Sequence, residues 1–303
     1  MAKNFTRDQI LSIGQLLQDD SRPMKQRYRA LFALKNIGGK DAIECISKGF
    51  SDSSALLKHE CAYCLGQMQD AMAISTLIQV LENVNEDPIV RHEAGEALGA
   101  IGVNSKEVIA VLKKYLQDPI LELSETCELA LKRLEWLHSD TNKREAITEN
   151  PYFSVDPAPP CAEDSVHILK QTLLDEKLPL FQRYRAMFSL RNIGDSASVL
   201  ALAEGLKCNS ALFRHEIAYV LGQMQHPACV TQLIENLKDL QEHPMVRHEC
   251  AEALGSIATE ESMTVLQDYL KDSERVVKES CEVALDICEY EMSNQFQWAK
   301  GDL

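Results

Sequence analysis

The chain has 303 residues, 45% of them hydrophobic and 25% charged, with a formal net charge of −15. That length and composition belong to a globular protein able to bury a full core, and the charge excludes nucleic-acid binding, which needs clustered Lys and Arg. It favours instead a partner protein with a basic surface or a cationic substrate.

Read in chain order, the predicted elements are helical. Thr6-Arg7-Asp8-Gln9 has the form of a capping box opening the first helix. QRYRALFALKNIG (26–38) and LLKHECAYCLGQMQ (56–69) follow as apolar stripes. Asp87-Pro88 and Asp118-Pro119 each place an N-cap residue before a proline at the first helical position. Val90, Ala94, Ala97, Leu98 and Ile101 recur at spacings of three and four. The segment ENPYFSVDPAPPCAED (149–164) holds four prolines, cannot be helix interior and reads as a linker. QRYRAMFSLRNIG (182–194) then repeats residues 26–38 with three differences, and LFRHEIAYVLGQMQ (212–225) and VRHECAEALGSIA (246–258) complete the series. No Val/Ile-rich alternating run predicts a strand, so the fold class is all-α.

One leucine near the end of each apolar stripe sets the register: Leu34, Leu65, Leu98 and Leu131, then Leu190, Leu221, Leu254 and Leu285. The steps within each half are 31 or 33 residues, the length of a helix, a turn and a second helix. Such hairpins stack into an α-α superhelix. The expected organisation is eight repeats in two symmetric four-repeat arrays, 1–148 and 165–303, facing one another about a pseudo-twofold axis and joined by the linker.

Six positions before the aligned leucines stand Tyr28, His59, His92, Glu125, Tyr184, His215, His248 and Glu279. His-Glu doublets therefore occupy the second and third repeats of each half and no others: His59-Glu60, His92-Glu93, His215-Glu216 and His248-Glu249. A single such doublet is usually a helix start whose Glu suits the macrodipole. Four in register are not, because neighbouring positions drift while the pairs stay. Imidazole and carboxylate together suit a first-row metal, and two His with one carboxylate is the facial triad of oxygen-activating iron(II). Each half can supply one triad with a Glu left over.

Two features travel with the doublets. Seven residues after each His comes Gly66, Gly99, Gly222 or Gly255, either as clearance for a long substrate or as a close helix contact. Four residues after each His come Tyr63, Glu96, Tyr219 and Glu252, candidates for contact with substrate or with the metal ligands. The ten cysteines act as small hydrophobes. Between the halves Cys61 exchanges with Ile217, Cys64 with Val220, Cys250 with Ala94 and Cys45 with Ala201. Cys61-Ala-Tyr-Cys64 lacks the second CxxC of a zinc site. No stretch approaches 18 uninterrupted apolar residues and MAKNFTRDQI carries no apolar leader, so a cytoplasmic protein without membrane association is expected.

HEAT-like repeats, two symmetric halves and four His-Glu doublets together resemble the deoxyhypusine hydroxylase family. The resemblance covers nearly the whole chain and runs through HECAYCLGQMQD, EALGAIG, YFSVDPAPP, RYRAMF, SALFRHE and MVRHECAEALG. Generic HEAT-like proteins share the ALG pieces, so the specific signal is the fourfold register and the central linker. The resemblance implies a non-haem di-iron monooxygenase with two Fe(II) ions per chain and O2 as co-substrate. Its substrate would be the deoxyhypusine side chain of the hypusine-bearing translation initiation factor. The resemblance further implies His59, His92 and Glu93 for one iron and His215, His248 and Glu249 for the other. Binding by all eight side chains would leave little room for O2. Glu60 and Glu216 are therefore assigned to the substrate amines or to orienting the ligands, with direct metal binding as the alternative. Competing expectations are a non-enzymatic HEAT-repeat scaffold, a lyase of the phycobilin type and a dinuclear hydrolase. The first two leave the histidine register unexplained, and the hydrolase, which the ligand types alone allow, would be distinguished by oxygen consumption and an iron-dependent colour.

Overall fold

A computed structural model of the chain describes residues 5–140, 142, 145 and 147–293. Among them are sixteen α-helices and four short 3-10 turns, and no strand. The helices pair as eight hairpins. The first four are α1 (Arg7–Gln18) with α2 (Met24–Ile37), α3 (Gly39–Lys48) with α4 (Ala55–Met68), α5 (Ile74–Glu82) with α6 (Pro88–Ile101) and α7 (Lys106–Lys114) with α8 (Leu121–Leu137). The second four are α9 (Val166–Leu174) with α10 (Leu180–Ile193), α11 (Ser196–Glu204) with α12 (Ala211–Met224), α13 (Val230–Lys238) with α14 (Pro244–Ile257) and α15 (Glu260–Tyr269) with α16 (Arg275–Glu291). The chain divides into two compact units, one ending at Leu134 and the other running from Glu135 to Asn294.

Local chemistry starts these helices where the sequence says it should, with one exception. The Thr6 hydroxyl accepts from the Gln9 amide while the Gln9 side chain accepts from the Thr6 amide, closing the capping box. Asp87 caps α6 with Pro88 in its first turn. Asp118-Pro119 does not start a helix: α8 begins at Leu121. The Asp118 carboxylate accepts from the Ile120 amide instead, and its other oxygen lies 3.7 Å from Arg91. The bond to Ile120 matches the one Asp87 makes to the Ile89 amide, but residues 119 and 120 bend before the helix starts.

The second helix of each repeat lies deepest. Leu34, Leu65, Leu98, Leu190, Leu221 and Leu254 are all at most 1% exposed. Within each unit these helices pack in succession, α4 on α6 and α12 on α14 on α16. The glycines two turns past the histidines make that approach possible. A Cβ on Gly66 would meet Ala97 Cα at 2.8 Å, on Gly99 Ala130 Cβ at 2.9 Å, on Gly222 Ala253 Cα at 3.0 Å and on Gly255 Ala284 at 2.7 Å. The space in front of each glycine is therefore taken by an alanine of the next helix. Of the two sequence readings, the close helix contact is the one these distances describe.

A set of arginines, not singled out in the sequence, locks every second hairpin. Arg27, Arg91, Arg183 and Arg247 are 2–4% exposed. Each donates from Nε to the carbonyl ten residues earlier, on Leu17, Leu81, Leu173 or Leu237, at 2.9–3.0 Å. Those leucines are the penultimate residues of α1, α5, α9 and α13. Their carbonyls have no partner within the helix, so a buried cation there satisfies an orphan acceptor and meets the negative end of the dipole. The four arginines immediately precede Tyr28, His92, Tyr184 and His248. In the intervening repeats the preceding residue reaches forward instead. Lys58 pairs with Glu86, and Arg214 with Glu242 at 2.5 and 2.8 Å, each acid lying just ahead of α6 or α14.

The proline-rich segment is bound to the second unit rather than left as loose chain. Pro157, Ala158, Pro159 and Pro160 are buried. Arg185 donates to the Pro160 and Pro159 carbonyls, and the Cys161 amide to Ser189. Arg191 on α10, fully buried, forks onto both oxygens of Asp156 at 2.7 and 2.8 Å.

Candidate metal centre

The first unit brings His59, Glu60, His92 and Glu93 together on α4 and α6. All four side chains are at most 7% exposed. The His59 and His92 ring centroids are 5.5 Å apart, and His59 Nε2 lies 3.3 Å from Glu93 Oε2. The other ring nitrogen, His59 Nδ1, stands 3.8 Å from Glu60 Oε2. The second unit repeats this with His215, Glu216, His248 and Glu249 on α12 and α14, also at most 7% exposed. There the ring centroids are 5.3 Å apart, and His215 Nε2 is 3.4 Å from Glu249 Oε2.

Donor atoms bound to one first-row ion at about 2.1 Å each lie roughly 3–4 Å from one another. The His59–Glu93 and His215–Glu249 separations fall in that range. His215, His248 and Glu249 each offer a ligand atom within 4.8 Å of the others, and so do His92, Glu93 and Glu96. A nitrogen-and-carboxylate donor set fits iron of the facial-triad kind. The nearby thiols do not compete: burial pushes Cys61, Cys64 and Cys250 upward, so they stay protonated.

The field at His59 also favours a cation. Burial works to lower its pKa, but the hydrogen bonds and charges of Glu60 and Glu93 outweigh burial and hold it well above 6.5. Carboxylates that favour a proton at this position also favour a metal ion in the proton's place.

The remaining candidates sit around these sets. Glu96 joins His92 and Glu93, as above. Glu252 turns the other way: its Oε1 accepts from Ser280 at 2.9 Å and lies 3.8 Å from His248 Nδ1. Tyr63 and Tyr219 are half-buried on α4 and α12. The Tyr219 hydroxyl accepts from Gln223 Nε2 at 3.0 Å, and Gln223 is itself held by Ser154 and Arg191. The Tyr63 ring instead has Lys35 Nζ 5.8 Å from its centroid. Gly66, Gly99, Gly222 and Gly255 lie against the next helix. Sequence reasoning did not find Ser280, although its place one residue after Glu279, in the aligned position of the fourth repeat, was available as a signal.

Comparison with known proteins bears on what such a centre does. The family of HEAT repeats matches residues 47–132 and 199–286, and the PBS lyase HEAT-like repeat matches 182–208. Deoxyhypusine hydroxylase of Rattus norvegicus is 58% identical over 98% of this chain and 97% of its own length. The Danio rerio protein of that name is 59% identical over 96% and 95%. The chain belongs to the deoxyhypusine hydroxylase family. The solved structure of human deoxyhypusine hydroxylase in complex with glycerol superposes with a TM-score of 0.89 at 57% identity, covering 94% of this chain and 97% of that one. Membership in the deoxyhypusine hydroxylase family makes the chain an enzyme, an oxidoreductase, and disfavours the scaffold reading.

Proposed function

We propose that this chain hydroxylates deoxyhypusine on a translation initiation factor, using O2 and two iron ions, one in each His-Glu quartet. The reading is carried by one coincidence: a family match over nearly the full chain falls on a fold in which each unit buries two histidines and a carboxylate. Oxygen insertion turns a C–H bond into C–OH. The second oxygen atom leaves as water, with two electrons from a reductant outside the chain and two protons from solvent. When bound, iron supplies the redox chemistry that activates O2.

The residues divide the remaining work. His59, His92 and Glu93 hold one metal, and His215, His248 and Glu249 the other. Glu60, set against His59 Nδ1, fixes the ring with Nε2 toward Glu93, the usual service of a carboxylate behind a metal-bound imidazole. Glu216 takes the same part in the second unit. Both also counter the protonated amines of the substrate, as do Glu96 and Glu252. The acidic chain suits a partner with a basic surface and neither nucleic acid nor a lipid surface. No helix among the described residues is long and apolar enough to cross a membrane. The ten cysteines are free thiols, as expected in the reducing cytoplasm, where we place the enzyme.

The test combines metal and product. Protein purified without chelator should carry about two irons per chain and transfer one atom of isotopically heavy O2 into the deoxyhypusine side chain. His59→Ala and His215→Ala should each lose iron and activity. Iron-loaded wild-type protein that leaves the substrate mass unchanged in the presence of a reductant would sink the proposal.

A further inference from the structure

Phe153 is the most exposed large apolar residue among those described, at 96%, and its backbone is left-handed, with φ 57°. An exposed apolar side chain alone means little. A bulky residue in the left-handed region is a different matter, because glycine or asparagine fills such positions without strain. Phe153 also stands at the apex of a loop in which its neighbours are tied down. The Asn150 side chain accepts from the Tyr152 amide and donates to the Ser154 carbonyl and to Asp156. The Tyr152 ring lies 5.1 Å from the Arg191 guanidinium, and Ser154 Oγ donates to Asp156. The hydrogen-bonded loop thus surrounds one solvent-exposed ring.

The loop is also placed. Ser154 Oγ accepts from Gln223 Nε2 at 3.1 Å, and Gln223 lies on α12, eight residues past His215. That is about 12 Å along the helix axis at 1.5 Å per residue. Exposed Ile147, at 40%, and exposed Glu149 precede the ring in the same segment. Apolar and acidic groups exposed on one segment match a partner that offers an apolar pocket within a basic surface.

We propose that Phe153 is a docking anchor for the protein substrate, gripping its folded body while the long diamine side chain reaches the metal centre. This rests on the hydroxylase reading for the identity of the partner. Rigid aromatic anchors of this kind dominate binding energy at interfaces. The strained conformation is kept because the ring must project.

The experiment uses iron-loaded full-length protein and the purified deoxyhypusine-bearing translation factor, with binding measured directly by calorimetry and turnover measured separately. Phe153→Gly, which relieves the backbone strain, should weaken binding about tenfold or more and raise KM alike, leaving kcat and iron content unchanged. Phe153→Tyr should bind as wild type, showing that the ring and not the loop shape matters. A short peptide carrying the same side chain should be hydroxylated equally by wild type and Phe153→Gly. Wild-type binding by Phe153→Gly overturns the anchor. Binding that responds to Phe153→Gly without any turnover in wild type upholds the anchor and removes the hydroxylase reading. Concentration-dependent self-association that Phe153→Gly abolishes reassigns the ring to a contact between copies and overturns the proposal.

Discussion

The two arrays carry the same His-Glu doublets on different supports. In the first, Lys35 on α2 lies over the rings of Phe32 and Tyr63, 5.5 and 5.8 Å from their centroids. In the second, the matching residue is Arg191, whose fork onto Asp156 anchors the proline-rich segment and whose NH1 also bonds Gln223, the partner of Tyr219. The third repeats differ as well. Gly95 faces the methyl of Thr126, whose hydroxyl makes no hydrogen bond, and Glu96 stays beside His92 and Glu93. Across the second array Ala251 and Ser280 replace that pair, and Ser280 draws Glu252 to itself and lies 3.5 Å from His248 Nδ1. The histidines and glutamates are the same in both arrays, whereas the side chains around them differ.

Removing Arg191 should break the comparison most severely. Arg191→Leu leaves Asp156 charged and buried without its partner, a loss of about 3–5 kcal/mol for a pair of this kind. It should lower the urea midpoint and speed proteolytic cutting within residues 149–164. Lys35→Leu, which costs only a half-exposed cation–π contact, should change stability by less than about 1 kcal/mol. Similar losses in both variants would mean that the strap contributes nothing to holding the second array.

The parts legible in the sequence were those set by local rules or by repetition. The capping box at Thr6, the proline start at Pro88 and the eight-hairpin register needed only neighbours in the chain. The His-Glu doublets stood out because their chemistry was repeated against drifting surroundings. What could not be read depends on contacts between distant residues. Arg27, Arg91, Arg183 and Arg247 look like solvated charges until each is found on a helix-end carbonyl ten residues back. Asp118 looks like a cap, yet α8 begins only at Leu121. The glycines admitted two readings because a missing side chain does not say what occupies its place, and only the alanine of the next helix decides.

The Ser280–Thr126 contrast gives the next largest effect. Ser280→Ala frees Glu252 and removes a polar neighbour from His248, so metal retention in the second set should fall about tenfold to hundredfold in competition with a chelator. Thr126→Val should leave the first set unchanged, because no hydrogen bond is lost. The glycines come next. Gly255→Ala gains about 1 kcal/mol of helix propensity but drives a methyl to 2.7 Å from Ala284. Overpacking of that sort costs about 1–3 kcal/mol, so thermal unfolding should move downward. Unchanged stability with a raised KM would restore the substrate-clearance reading for this position.

The smallest effect concerns pH and compares two arginines of the buried set. Arg247 pairs with Asp272, both nearly fully buried, while Arg183 in the same role meets Cys208 Sγ at 3.0 Å. Burial pushes the Asp272 carboxyl up, yet the hydrogen bonds from Arg247 and the Glu274 amide outweigh it and hold the pKa below 3.8. A carboxylate with a depressed folded pKa binds its proton more weakly folded than unfolded. Its stabilisation is therefore complete above the unfolded value and is lost as pH falls through the folded one. Cys208 adds nothing in that window, since burial, the largest influence on it, raises the thiol further from it. Asp272→Asn should therefore lower stability at neutral pH and flatten its decline as pH falls through and below 3.8, read from urea midpoints. Cys208→Ala should shift the whole curve without changing that slope. If the acid slope of Asp272→Asn matches wild type, the pair at Arg247 is not what acid dissolves first.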